Sequence, residues 1–439
     1  MILGLYSALM RALQPVMGYK LRRRAKAEPG YGVAVPERWG SYTQAPVEPS
    51  ELVVWVHAVS LGETRASAAL VNQLRLLLPG MRLLLTHGTA TGRAQGMSLL
   101  QSGDMQVWQP WDTPGAVRKF LVHFKPTIGL LVETEIWPNL VAECRTQGVP
   151  LCLVNARLNE KSLRQAQRLA WLSKPAYQGL SAVWAQAPAD AERLKALGAP
   201  VRGVLGNFKF DAQPDIHQLV RGKSWHQALD RAVITLAISR EGEEALFLEL
   251  LKQKQAVAQV VNADAATEII ANAVQWMIVP RHPQRFDAVA ALCEAQGFTV
   301  LRRSHWAATG PTVQGAKTLW LGDTLGEMAL YYGLSDVALL GGSFEPLGGQ
   351  NLIEAAACRC PVVMGPHTFN FDQAAELSVG AGAAWQVANM EAAFDKAIQL
   401  VAHPQQQQAA AEAASALSTA HQGAARRTAE AVQALLSQA

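Results

Sequence analysis

LVVWVHAVSLGETRASAALVNQLRLLLPGMRLLLT, residues 52–86, decides the fold. Residues 52–56 are an unbroken apolar run, the mark of a strand buried on both faces. HAVSLGE follows as a loop, then a helical pattern runs to Leu78. Pro79 and Gly80 stop it, and residues 82–86 form the next apolar run. This is a βαβ unit, whose two strands must lie parallel.

The pattern extends in both directions along the chain. Residues 127–132 (TIGLLV), 149–154 (VPLCLV), 182–185 and 201–205 continue it in the first half. The second half repeats the plan, with strands expected at 232–237, 274–279, 318–321, 336–340 and 361–364. Helical stretches separate most of them. The expected fold class is α/β, with two doubly wound Rossmann-like domains facing a cleft. The 439 residues suit two or three domains at roughly 150 residues each.

Domain boundaries follow from composition. Residues 1–26 form an N-terminal helix with a basic flank, and 27–210 the first Rossmann-like domain. Residues 206–231 are more polar, which places the linker there, at 211–231. The second domain takes 232–403, and the Ala- and Gln-rich stretch 404–439 supplies closing helices. Residues 253–273 suggest an extended helix or an insertion.

Composition excludes several classes. Half the residues are hydrophobic and 17% are charged, which excludes global disorder. The formal net charge of +4 is too small to mark a nucleic-acid protein. Five cysteines, an odd number with no C-x-x-C pair, argue against a disulfide framework or a zinc site. Cys358 and Cys360 fit plain core packing.

The N-terminus reads MILGLYSALMRALQPVMGYKLRRR. Arg11 interrupts the apolar run, so no uninterrupted stretch reaches the roughly 20 residues of a clean membrane span. Lys20, Arg22, Arg23, Arg24 and Lys26 follow at once. An apolar helix beside a basic cluster suits an anionic membrane surface. An ordinary packed helix, or one short span, stays open.

Ligands of doubly wound sheets bind beyond the carboxyl ends of the strands. Several unusual residues lie there. Glu63 follows the strand at 52–56, either as a partner of free helix amides or as a general base. Glu133 and Glu135 follow the strand at 127–132; on an extended segment they point to opposite sides, so at most one faces the cleft. Lys209 in GNFKFD and Arg281 in PRHPQRF are candidate anion ligands. Gly326 and Glu327 in GDTLGEM stand where a helix could open. In GGQNLIEA, Asn351 and Glu354 fit a capping box, or a phosphate turn with Glu354 on a ribose diol. No D-x-D, no G-x-x-x-x-G-K-[ST] and no H-E-x-x-H occurs, which argues against an ATPase or a metalloprotease.

HAVSLGET, THGTATG, ETEIWPN, NARLNEKS, GNFKFD, EGEE, PRHPQRF, GDTLGEM and GGQNLIEAAACRCPVVMGPHTFNF occur in this order. As an ordered set they resemble the 3-deoxy-D-manno-octulosonic acid (Kdo) transferase family. The resemblance implies a glycosyltransferase B-type fold and transfer of Kdo from CMP-Kdo to a lipid A precursor (lipid IVA), with inversion and with no metal or cofactor. It implies a place on the cytoplasmic side of the inner membrane, against its anionic surface, as a monotopic protein or with one N-terminal anchor. It implies Glu63 as general base and Glu133 with Lys209 as transition-state stabilisers. It implies CMP binding by Pro280, Arg281, Leu325, Gly326, Glu327, Asn351, Leu352, Ile353 and Glu354. Arg240 and Gln350 stand where the family commonly has His, and Leu352 where it often has Pro. The alternatives are a related nucleotide-sugar transferase or epimerase, and a membrane-attached lipid-binding protein.

Overall fold

The computed structural model describes residues 2–48, 50–258, 274–313, 315 and 317–438. They divide into two compact units, Met1–Ala212 with Gln422–Ala439, and Gln213–His421. Each unit is a seven-stranded sheet in which every strand pair is parallel.

The first sheet contains β1 (Val53–His57), β2 (Arg82–His87), β3 (Met105–Trp108), β4 (Ile128–Val132), β5 (Leu151–Ala156), β6 (Ala182–Ala185) and β7 (Val201–Val204). Its order is β3-β2-β1-β4-β5-β6-β7. Every residue of β1 and β4 is buried, as their apolar runs require. Side chains alternate between two cores. Val54 and Val56 face the layer of helices Leu61–Leu77 and Ala424–Leu436. Trp55 faces the opposite layer, packed on Phe120 at 4.9 Å between ring centroids.

The second sheet contains β8 (Ala232–Ser239), β9 (Val274–Pro280), β10 (Thr299–Arg302), β11 (Thr318–Leu321), β12 (Val337–Leu340), β13 (Val362–Met364) and β14 (Ala384–Gln386). Its order is β10-β11-β9-β8-β12-β13-β14. In both sheets the chain reverses its direction of growth at one pair, β1/β4 and β8/β12. Those pairs are the switch points beside which doubly wound sheets bind ligands.

The sequence reading named eleven strands; β3, β10 and β14 are additional. All three are sheet edges. They are three or four residues long and need fewer apolar side chains, so their signal is weak. The polar stretch 206–231 holds a 3-10 turn, Phe208–Asp211, and the helix Ile216–Gln227. That helix packs closely on the helix Met328–Leu334. A Cβ on Gly222 would come within 2.3 Å of the Leu330 carbonyl oxygen. Residues 404–439 form two helices that part company: Pro404–His421 belongs to the second unit and Ala424–Leu436 to the first. Of the stretch 253–273, the part up to Ala258 continues the helix Glu243–Ala258, and the rest lies outside the described residues.

The N-terminus folds as two helices, Ile2–Ala12 and Gln14–Ala27. The first is tied to the first unit by polar bonds. Tyr6 donates to Asp112 Oδ2 at 2.8 Å, and Ser7 donates to Asn139 Oδ1 at 2.6 Å. Asp112 also accepts the backbone N–H groups of Asn139 and Leu140 at 3.1 and 2.8 Å, capping the helix Pro138–Thr146. Among the described residues, no helix is long and apolar enough to cross a membrane.

Candidate functional site

In the first unit the two strands at the switch point each deliver a carboxylate. β1 ends at His57, and Ser60 caps the helix Leu61–Leu77 with Glu63 in its first turn. Ser60 Oγ accepts the Glu63 N–H at 3.3 Å and donates to Glu63 Oε1 at 2.8 Å. The Val59 N–H donates to Glu63 Oε2 at 2.8 Å. This is a reciprocal capping arrangement. It leaves lone pairs free on both carboxylate oxygens. Burial pushes the Glu63 carboxyl up to about 7, against the two hydrogen bonds it accepts, and the charges of Glu133 and Glu135 add to the rise.

Both neighbours contribute because the segment after β4 is not extended. Glu133 has φ +66°, a left-handed backbone that a residue with a Cβ adopts at a cost of about 1–3 kcal/mol. Its N–H donates to the Val154 carbonyl at 3.1 Å, and its carbonyl accepts from the Arg157 N–H at 3.2 Å. The alternation expected of an extended Glu133–Glu135 pair therefore does not apply. Burial also raises the Glu135 carboxyl above its ordinary range.

Lys209 reaches the same group, with Nζ 3.9 Å from Glu133 Oε1. Its turn is held by Asn207, Phe208, Phe210 and Asp211. Asn207 Oδ1 accepts the Lys209 N–H at 3.0 Å, and Phe208 and Phe210 are buried. Asp211 caps the helix Ala424–Leu436, accepting the Gly423 N–H and, at 2.6 Å, the Ala425 N–H. Two residues given no role from sequence set this turn. Asn155 has φ +49° and accepts the Phe208 N–H on Oδ1 at 3.1 Å. Gln186 donates to the Asn155 carbonyl at 2.9 Å and accepts from Asn207 Nδ2 at 3.1 Å. An asparagine directly after a buried apolar run was the available signal, since Asn tolerates left-handed backbone.

Beside Glu135 lies a cavity of about 400 Å³. Its walls include Arg38, Gln109, Trp111, Val59 and, from the helix Gln14–Ala27, Leu21 and Arg24. None of these had been singled out from sequence except Arg24, as part of the basic cluster.

In the second unit the loops after β8 and β12 are joined by Glu243. Its buried carboxylate accepts backbone N–H groups of Arg240 and Gly342 at 2.8 Å each and of Phe344 at 3.3 Å. Gly341 must lack a side chain, since a Cβ would sit 2.5 Å from the Ile238 carbonyl oxygen. Arg285 forms a two-pronged pair with Glu244 at 2.7 and 3.0 Å. Of the arginines in PRHPQRF, Arg285 is thus a brace. Arg281 follows β9 with its N–H donating to the Ser239 carbonyl at 3.0 Å. Pro280 is the buried last residue of β9.

The remaining candidates divide by burial. Leu325 is exposed and Gly326 takes φ +76°. Glu327 pairs with Arg303 at 2.9 Å. Asn351 Oδ1 caps the helix Leu352–Ala357 by accepting the Ile353 N–H at 3.2 Å. The side chains of Leu352 and Ile353 are buried in the unit, whereas Glu354 is half-buried. Among the described residues, no group of three or more His, Cys, Asp or Glu is placed to hold a metal ion. All five cysteines are buried and free.

Two solved structures have the same architecture. A putative UDP-N-acetylglucosamine 2-epimerase from Listeria monocytogenes is 13% identical, with a TM-score of 0.55 over 89% of this chain and 98% of that one. A glycosyltransferase from Rickettsia africae is 12% identical, with a TM-score of 0.54 over 88% and 99%. The fold is that of the glycosyltransferase B class. Residues 34–212 match the family model described as 3-deoxy-D-manno-octulosonic-acid transferase (kdotransferase). A 3-deoxy-D-manno-octulosonic acid transferase of Bordetella pertussis is 45% identical over 98% of both chains. One of Haemophilus influenzae is 28% identical over 90% of this chain and 89% of its own. The chain belongs to the 3-deoxy-D-manno-octulosonic acid transferase family, and it is a glycosyltransferase.

Proposed function

We propose that the protein transfers Kdo from CMP-Kdo to a lipid A precursor, lipid IVA, with inversion at the anomeric carbon and without a metal ion. The observation that carries this reading is the group Glu63, Glu133 and Lys209 at the β1/β4 switch point, with Glu63 shifted to about 7. An alcohol is far too weak an acid to attack unaided. Glu63 takes its proton as the oxygen bonds to the anomeric carbon, while the bond to the CMP phosphate oxygen breaks and its electron pair leaves with CMP. Lys209, held by Glu133, stabilises the negative charge that develops. Arg281, with the segments 325–327 and 351–354, holds the CMP. The buried side chains of Leu352 and Ile353 leave their backbone as the part that meets ligand.

The direct test is mass analysis of lipid IVA after incubation with the purified protein and fresh CMP-Kdo. A gain of one or more Kdo units is expected; intact acceptor with unconsumed donor overturns the reading. The pH profile follows from Glu63. Only its deprotonated form is a base, so kcat/KM should climb about tenfold per pH unit below about 7 and level off above it. A profile flat from pH 5.5 to 8 removes Glu63 from that role.

The site works at a membrane surface in this reading. Ile2, Leu5, Leu9, Leu13 and Val16 recur every three to four residues and are exposed, Leu5 at 72% and Leu9 at 55%. Lys20, Arg22, Arg23, Arg24 and Lys26 are charged neighbours, all exposed. Such a pair of consecutive helices lies in the interface with its apolar row among acyl chains. Leu5→Asp with Leu9→Asp should weaken co-sedimentation with anionic vesicles by roughly 10²–10⁴-fold, since each leucine withdrawn from the acyl region costs roughly 1.5–3 kcal/mol. Unchanged co-sedimentation rules out this attachment.

A further inference from the structure

Arg38 is 4% exposed, yet no carboxylate pairs with it among the described residues. The adjacent Glu37 carboxylate is occupied by Arg93 at 2.6 Å and by the Trp108 N–H at 2.8 Å. The Arg38 guanidinium lies over the ring of Trp108 at 4.1 Å and that of Trp111 at 5.1 Å, and donates once, to the Gly88 carbonyl at 3.2 Å. A buried cation without a counter-charge is costly. Its Nε has no hydrogen-bond partner in the protein. Neither does Trp111 Nε1, nor Gln109 Oε1, on a residue 8% exposed. All three side chains line the 400 Å³ cavity. Two buried donors, one of them cationic, with arginine's planar fork available, describe a receptor for an oxyanion.

The walls indicate which oxyanion. One wall contains Val59, whose N–H holds Glu63, and Glu135. Another part of the lining comes from the helix Gln14–Ala27, through Met17, Leu21 and Arg24. The cavity is therefore lined both by Val59, the residue whose N–H holds the proposed base, and by the second of the two N-terminal helices. An occupant with an anionic head and an apolar body that reaches the helix Gln14–Ala27 fits this lining. Asp112, also in the wall, does not compete, because its oxygens already accept from Tyr6, Asn139 and Leu140.

We propose that this cavity receives a phosphate of the lipid acceptor, with Arg38 and Trp111 as its donors. The assignment rests on the transferase reading above and adds the residues that read the acceptor's charge. The full-length protein in detergent is assayed with the lipid A precursor and with its dephosphorylated form. Arg38→Gln should raise KM for the phosphorylated acceptor roughly 10- to 100-fold, the range expected for hydrogen bonds to a charged group. Trp111→Phe keeps the ring stack, removes the N–H, and should raise it about threefold to tenfold. On the dephosphorylated acceptor both variants should match the parent protein within about twofold, and CMP affinity should not change. Equal losses on the two acceptors mean a structural role and overturn the proposal. So does loss of binding to phosphatidylglycerol vesicles with KM in detergent unchanged, which assigns the cavity to a membrane lipid head. If the parent protein transfers no sugar, the transferase reading fails by itself. The ratio of Kd values for the two acceptors, from tryptophan fluorescence, then still decides: a ratio near one overturns the cavity's assignment.

Discussion

Glu63→Gln is expected to lower kcat by ~10²–10⁴ while leaving CMP affinity intact. The substitution isolates chemistry from structure because glutamine can still serve at the third position of a capping box. Its carbonyl oxygen can accept the Val59 N–H that Glu63 Oε2 accepts at 2.8 Å. The helix Leu61–Leu77 should therefore keep its start, and Tm should stay within a few degrees. Glu63→Ala is the poorer experiment, since it also removes the acceptor of the Val59 N–H and of the Ser60 hydroxyl. Steady-state kinetics beside a calorimetric Tm separates the cases. A rate close to the parent's would return Glu63 to a purely structural role.

Lys209→Ala should cost ~10²–10³ in kcat, the scale for one group aimed at developing negative charge. The turn that carries Lys209 is also held by its neighbours. Asn207, Phe208, Phe210 and Asp211 hold it through the bonds to Asn155, Gln186 and the Ala424–Leu436 helix. The variant should fold and bind CMP. Added alkylammonium ions should restore part of the lost rate if the missing element is the charge alone. A loss of less than threefold excludes Lys209 from transition-state stabilisation.

The buried strands were legible because their demand is simple: a strand covered on both faces must be apolar nearly throughout, and 52–56 and, after Thr127, 128–132 are. Edge strands β3, β10 and β14 make no such demand and gave no pattern. Glu63 was legible as a position but not as a choice between capping and catalysis, since both need a carboxylate at a helix start. The structure has it capping, at a shifted pKa, so the two readings do not compete. Nothing in PRHPQRF shows that Arg285 pairs with Glu244, forty-one residues earlier. Arg38 was invisible for a similar reason. In PERWG it resembles a surface charge, and only the approach of Trp108 and Trp111 buries it.

The helix Ala424–Leu436 closes a sheet whose first strand begins at Val53. Until it arrives, Leu70, Val71 and Leu74 on the helix Leu61–Leu77 lack the cover of Ala425, Ala429 and Val432. Asp211 likewise waits for the N–H groups of Gly423 and Ala425. During synthesis the ribosome must therefore emit the entire Gln213–His421 unit before the earlier one can be completed. Nascent chains usually finish their domains in order from the N-terminus. Here the first to start is the last to finish, and for most of translation an incomplete apolar face stands open to chaperones and to other nascent chains.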